Sequence, residues 1–401
     1  MANVVVTGMG AVTPLGVGVD ALWQGVLQGG SVVRRLDGEF GLPEPSLGAS
    51  VPDLPIERLL APAAVRHYDR FIHLALLAAD EALAASGVLD AADPERIGVY
   101  IGCALGGIET LSQDTVAHAG GSRVGPRLLP KTIPNMAAAT IAEHWGLRGP
   151  NLTFSTACAA SNNAIGEALY AVAAGRADVC VAGGAESLFA PVVMAGLDAA
   201  RALSRRFDDP ATASRPFSEG RDGMVMGEGS GILILESEER AVRRGATIFG
   251  RITGYGASSD AHHPTQPHPE GRGAELAMRR ALASAGAYPS DIDYINAHGT
   301  STAIGDEVEC MAIQRVFVQP PPLSSQKGAI GHLLGAAGSV EAVITLRALE
   351  LGILPPSVNY LGGGPEGMDF ISAPRKAALR RALSNSFGFG GQNAAIVLER
   401  A

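Results

Sequence analysis

Apolar residues recur at helical spacing from near Phe71, and the pattern stops at Ala82-Leu83-Ala84-Ala85-Ser86-Gly87, where the glycine ends a helix. A polar loop leads on to Ile97-Gly98-Val99-Tyr100-Ile101-Gly102, which reads as a strand. The same order returns later. Ala281-Leu282-Ala283-Ser284-Ala285-Gly286 ends a second helix, and Asp291-Ile292-Asp293-Tyr294-Ile295-Asn296 reads as a second strand before a glycine turn. Ala281 stands 199 residues after Ala82, about half of the 401-residue chain. A second pairing agrees, because Gly8-Met9-Gly10-Ala11 after the strand Val4-Val5-Val6 resembles Gly254-Tyr255-Gly256-Ala257 after Phe249-Gly250-Arg251-Ile252. Together the two pairings predict an internal duplication into two α/β units, each a parallel sheet covered by helices. Arg240 to Gly245 reads as a helix end with a glycine stop, so the halves are placed at 1–245 and 246–401. No linker rich in proline or serine lies there, and two tightly docked halves are expected.

Composition narrows the function classes. Hydrophobic residues make up 47% and charged residues 18%, which excludes a disordered chain and supports a large core. A net charge of -9 disfavours nucleic acid and anionic membranes as partners. No stretch reaches the ~18 uninterrupted apolar residues of a membrane span, and Met1-Ala2-Asn3-Val4 carries no basic leader, so a cytoplasmic protein is expected. The four cysteines, Cys103, Cys158, Cys180 and Cys310, show no CxxC spacing, which argues against a disulfide framework and a structural zinc site.

Candidate chemistry centres on Cys158. Asn151-Leu152-Thr153-Phe154 reads as a strand, Ser155 to Ala160 as a small-residue turn, and Ala164 to Ala174 as a helix. A cysteine at that helix start meets unpaired N–H groups and the positive end of the helix dipole, which favour a thiolate and an oxyanion. His298 in Asn296-Ala297-His298-Gly299 and His332 in Lys327-Gly328-Ala329-Ile330-Gly331-His332 each follow a strand or its turn. Both imidazoles are expected to converge with Cys158 where strand ends face one cleft. Gly8-Met9-Gly10 lacks the third glycine of a dinucleotide fingerprint, and no Walker loop, GxSxG elbow or HExxH motif is present. His262, His263 and His268 lie in one loop without a fitting acid or cysteine, so no metal is expected.

Four ordered blocks carry a resemblance. Thr156-Ala157-Cys158, Asn296-Ala297-His298-Gly299-Thr300-Ser301-Thr302, Lys327 with Gly331-His332, and Asn385-Ser386-Phe387-Gly388-Phe389-Gly390-Gly391 resemble the signatures of type II β-ketoacyl-acyl-carrier-protein synthases, in the thiolase superfamily. The likeness extends over essentially the whole chain. It implies a thiolase-like five-layered αβαβα fold from two duplicated halves. It also implies decarboxylative condensation of a Cys158-bound acyl chain with malonyl-acyl carrier protein, for fatty-acid or polyketide elongation. Cofactors would be none, the substrates riding on carrier phosphopantetheine. By the same resemblance, His298 and His332 serve decarboxylation, Lys327 orients them, Phe389 gates the acyl chain, and the N–H groups of Cys158 and Phe389 form an oxyanion hole. Leu105, Ile108 and Leu197 would line the acyl pocket. Thr265, Thr300 and Thr302 would meet pantetheine, and Arg66 and Arg201, with Arg70, Arg205 and Arg206 nearby, would dock the carrier. Glu309, near the lysine, and Asp306 would be structural.

Three positions depart from the family pattern, namely Ala303, Gly328 and Gln392, which stand in place of Pro, Ser or Thr, and Thr. They flank the site and leave open a specialised polyketide or polyene role. In that case the chain would be the catalytic subunit of a heterodimer with a chain-length factor; otherwise a homodimer is implied. A thiolase needs a second cysteine in the C-terminal glycine-rich block, and none follows Cys310.

Overall fold

The computed structural model describes residues 3–401, so Met1 and Ala2 of the N-terminal reading lie outside the described residues. Ten strands build the central architecture: β1 Val4–Thr13, β2 Ile97–Gly102, β3 Asn151–Phe154, β4 Val179–Glu186, β5 Gly229–Ser237, β6 Gly250–Ser259, β7 Tyr294–Asn296, β8 Leu323–Ser324, β9 Arg381–Gly388 and β10 Gln392–Glu399. The first five lie in the order β1-β5-β4-β2-β3 and the second five in the order β6-β10-β9-β7-β8. Each strand of one half thus has a counterpart five places on in the other. Val4–Val6 pairs antiparallel with Gly250–Ile252, so β1 and β6 join the two sheets edge to edge.

Helices α1 Arg70–Ser86, α2 Ile108–Ala119, α3 Ala160–Ala173, α4 Pro191–Ala199, α5 Arg272–Ala285, α6 Ala303–Val316 and α7 Ala337–Leu351 supply the layers. α3 and α7 pack together between the sheets, α1 covers the outer face of the first and α5 with α6 that of the second. Helix, sheet, helix, sheet, helix is the five-layered order. The central helices are buried almost all round, from Ala160 to Gly166 and from Ala337 to Leu346, as a middle layer requires. No helix is long and apolar enough to cross a membrane among the described residues.

The structure corrects four local expectations. The sheets are mixed rather than parallel: β2 pairs parallel with β3 and β4, but β5 runs antiparallel to both β1 and β4. The strand expected over 291–296 begins only at Tyr294, because Pro289–Asp291 forms a 3₁₀ turn in which the Asp291 carboxylate accepts the Tyr288 N–H at 2.8 Å. The helix read from Ala164 starts at Ala160, since the turn at Cys158 feeds straight into it. Gly8 and Gly10 lie inside β1, not after it. A Cβ on them would meet the carbonyl oxygens of Ala82 and Ala78 at 2.2 and 2.0 Å. On β6, Gly254 and Gly256 would meet those of Ala281 and Ala277 at 2.3 Å each. The repeated glycine pair therefore records one helix pressed onto one strand, twice.

Candidate active site

β3 ends at Phe154, and the chain turns through Ala157, a residue forced to φ 48°, into the 3₁₀ turn that carries Cys158. Such a strained residue is tolerated where the surroundings over-determine it. Cys158 is 5% exposed. Its own N–H and that of Phe389 both point at the sulfur. The second arrives because β9 ends in Gly388, where a Cβ would lie 3.0 Å from the Cys158 nitrogen. Gly390 and Gly391, at φ 77° and 68°, then turn the chain away.

His332 and His298 reach the same point from the second half. Gly331, at φ 73°, releases His332 from the short helix Lys327–Ile330, and its Nε2 stands 3.1 Å from Cys158 Sγ. The Leu334 N–H donates to Nδ1 at 3.3 Å, so the neutral ring carries its proton on Nε2, facing the sulfur. His298 follows β7, with its ring centroid 5.3 Å from that of His332 at 82°. Glu309 on α6 accepts the N–H groups of His298 and Gly299, each at 2.8 Å, and fixes that turn. Lys327 Nζ donates to the His298 carbonyl and pairs with Glu341 on α7, both groups being buried.

Burial dominates the electrostatics. It pushes the Cys158 thiol up to about 12, against the pull of Lys327 and the two N–H groups. Both imidazoles are held well below their ordinary value, first by burial and then by the Lys327 charge. Burial thus works against the thiolate that the helix start favours, and against charge on either imidazole. Burial also raises Asp306 and Glu341 to about 7, and lifts Glu309 above the usual carboxylate range.

Cys158, His298, His332 and Phe389 line a cleft of about 520 Å³, with Thr265, Thr300, Thr302 and Arg201. Ile108 and Leu197 are half-buried in the apolar cluster around Cys158, beside Phe389 and Leu334. Lys327 sits behind the cleft wall. Asp306 is buried behind it as well, accepting the N–H of Ser301 at 3.1 Å and of Phe217 at 2.7 Å. Arg66 is exposed outside the cleft. Leu105 is not brought to the cleft: its N–H turns inward to Glu186 at 3.2 Å, and the residue is 37% exposed. Arg70 is no free cation, since it grips buried Glu228 and the Val51 carbonyl, and Arg205 pairs with Asp198.

The donor atoms of Cys158, His298 and His332 lie within 4.8 Å of one another, a set a soft metal would accept, but the Lys327 charge that bears on both rings opposes a cation. In the loop at the cleft mouth, His263 Nδ1 accepts the N–H groups of Thr265 and Gln266, both at 3.1 Å, and so caps the loop. Two groups escaped the sequence reading. Glu341 pairs with Lys327; the signal was a single carboxylate in the apolar run Ala337–Leu346. Glu186 carried none, as a strand end among glycines and small residues. Of the departures, Gly328 has a steric reason, because a Cβ would stand 2.2 Å from the Val358 carbonyl oxygen.

The family models "Beta-ketoacyl synthase, N-terminal domain" and "Beta-ketoacyl synthase, C-terminal domain" match residues 1–241 and 249–361. The chain is 41% identical to the 3-oxoacyl-[acyl-carrier-protein] synthase 2 of Synechocystis sp., over 99% of this chain and 98% of that one. Among solved structures, a β-ketoacyl synthase from Burkholderia phymatum is 35% identical with a TM-score of 0.92, covering all of both chains. The ishigamide ketosynthase/chain length factor is 31% identical with a TM-score of 0.91, covering 100% of this chain and 99% of that one. With a cysteine between two imidazoles at the seam of a duplicated five-layer fold, the chain belongs to the β-ketoacyl synthase family of condensing acyltransferases.

Proposed function

We propose that Cys158 is acylated by a carrier protein's phosphopantetheine thioester and that the acyl chain then condenses with malonyl-carrier protein. In loading, sulfur attacks the thioester carbonyl, and the departing pantetheine thiolate takes up the proton that Cys158 loses. The malonyl group next sheds its carboxylate as CO2, and the freed electron pair moves into its thioester carbonyl. The enolate oxygen accepts the Nε2–H of His332 and is flanked by His298. Its carbon attacks the acyl carbonyl, whose oxyanion rests on the N–H groups of Cys158 and Phe389. Collapse expels the Cys158 thiolate, which is reprotonated, and leaves a 3-oxoacyl thioester two carbons longer. Neutral imidazoles suit this work, because a developing enolate needs donors and the carboxylate lost needs no base.

The observation that carries the reading is Nε2 of His332 at 3.1 Å from Sγ with Nδ1 already occupied by the Leu334 N–H. Nothing in these steps calls for a cofactor or metal. Thr265, Thr300 and Thr302 line the route a pantetheine arm would take to Cys158, and exposed Arg66 and Arg201 suit an acidic carrier. Residues 1–245 supply the nucleophile and 246–401 the two histidines, a division consistent with a turn at Gly245 between the helix Glu238–Arg243 and β6. The net charge of -9 fits an enzyme that avoids nucleic acid and anionic membranes.

A dimer is supported by β3, the last strand of its sheet, whose Leu152 is 47% exposed near an unpaired edge. Identity of 41% to a synthase 2 favours fatty-acid elongation by a homodimer. The likeness to the ishigamide ketosynthase/chain length factor favours, as the second reading, a polyketide heterodimer. The test incubates the protein with acyl- and malonyl-carrier protein and follows intact mass. Acyl-Cys158, CO2 and a 3-oxoacyl-carrier product are expected; acylation of another cysteine would overturn the assignment. Native mass, alone and with a co-expressed homologue, separates the two dimers.

A further inference from the structure

Glu186, the last residue of β4, is fully buried, and among the described residues it forms no salt bridge. Three backbone amides and the Cys103 thiol, whose S–H donates to Oε1 at 3.6 Å, satisfy it instead. Its Oε2 accepts the N–H groups of Ala104 at 2.7 Å and Gly335 at 3.2 Å, and its Oε1 that of Leu105 at 3.2 Å. These donors come from two segments of opposite halves. Ala104 and Leu105 follow β2, while Gly335 follows Leu334, whose N–H holds Nδ1 of His332.

The β2 loop is tied in turn to the nucleophile. Cys103 N–H donates to the Phe154 carbonyl at 3.0 Å, and Ser155 Oγ donates to the Ala104 carbonyl at 3.0 Å, three residues before Cys158. One carboxylate therefore clamps the His332 turn against the loop that braces the Cys158 turn. Contact is close, since a Cβ on Gly335 would meet Glu186 Oε2 at 2.5 Å and the Ala104 nitrogen at 2.8 Å. The second half repeats the device: β7 is the counterpart of β2, and Glu309 accepts two consecutive amides of the loop that follows it.

We propose that Glu186 is a positioning residue, which sets the Leu334 amide against His332 Nδ1 and so keeps the Nε2–H donor aimed at Cys158 Sγ. The inference rests on the two-histidine reading above. It makes the carboxylate responsible for decarboxylation through His332 while leaving acyl loading of Cys158 nearly untouched. A glutamine offers one carbonyl oxygen to four donors and turns an NH2 group against an N–H, so the clamp opens on one side.

The test uses the full chain carrying Glu186→Gln. Expected are CO2 release from malonyl-carrier slowed about 100-fold, the cost of a small misplacement, with its KM and the rate of Cys158 acylation within about threefold of wild type. In histidine-labelled protein, nitrogen NMR should show His332 with Nδ1 bare and Nε2 protonated, and Glu186→Gln should lose that signature. Equal losses in acylation and CO2 release, or CO2 release within about twofold of wild type, overturn the proposal. Glu186→Asp, which keeps the charge but withdraws it by one methylene, serves if the glutamine variant does not fold, and should move both readouts in the same direction. Should the wild-type chain release no CO2, the condensation reading fails, and the His332 signature alone then decides the role of Glu186.

Discussion

Replacing Lys327 with Met tests the charge balance behind the site. Glu341 is 2% exposed and its Oε2 has no hydrogen-bond partner, so the ammonium is its main compensation. The His298 carbonyl loses its Nζ donor as well. Breaking a buried ion pair from one side costs about 3–5 kcal/mol where the remaining charge cannot escape. Glu341 has an escape, because it can bind a proton. Burial already lifts its carboxyl from 4.5 to about 7 with Lys327 in place, and removing the ammonium lifts it further. A folded-state value above the unfolded one contributes stability that is present below 4.5 and lost as pH rises through the folded value. The Lys327→Met deficit should therefore be small at about pH 5 and grow above pH 7 by about 1.4 kcal/mol per pH unit, adding at most about 2.7 kcal/mol by pH 9. Urea unfolding of both proteins at three pH values measures it. Adding Glu341→Gln should recover most of that stability and none of the CO2 release. A deficit below about 1 kcal/mol at pH 9, or one independent of pH, would refute the reasoning, since a surface pair behaves that way.

Three further outcomes follow from the same geometry. Because burial sets the Cys158 thiol near 12, its alkylation rate should rise about tenfold per pH unit from pH 7 to 9 with no plateau; a plateau near 8.5 would mean an ordinary thiol. His332→Ala and His298→Ala should each keep acyl-Cys158 formation, read by intact mass, and abolish condensation; near-normal product from either would remove it from the mechanism. Leu105→Ala should cost well under the ~2–5 kcal/mol of a buried leucine, because Leu105 is 37% exposed. Graded primers should nevertheless reveal longer accepted chains if the loop bounds the pocket against a partner subunit, and an unchanged profile in the purified dimer would place the limit elsewhere.

What was legible in the chain was whatever local pattern controls. The glycine pair on β1 and its repeat on β6 exposed the duplication, although they mark close helix packing and not turns. Cys158, His298 and His332 stood out because each sits where a strand meets a glycine or small-residue turn. Hydrogen-bond partners were less visible, since they depend on contacts between distant segments. Glu309 does lie buried near the lysine, as the likeness implies, but its bonds go to the His298 and Gly299 amides, and the ion partner of Lys327 is Glu341. The effect that opposes a thiolate at Cys158 is hidden in the chain for a related reason. A helix start is a local feature, but the burial that pushes the thiol up comes from contacts between distant segments.

The repeated strand order has a consequence for how such a protein can change. β2 and β7 are counterparts, yet the loop after β7 carries His298 while the loop after β2 carries Leu105. Duplication supplied one scaffold position twice, and the two copies took separate work. The copy holding an imidazole is constrained by chemistry and admits little variation. Its twin, held to Glu186 by the Ala104 and Leu105 amides and the Cys103 thiol, leaves the side chain at 105 free of any bonding duty. That side chain can therefore change without breaking any hydrogen bond that holds the loop, while the twin position must keep its imidazole.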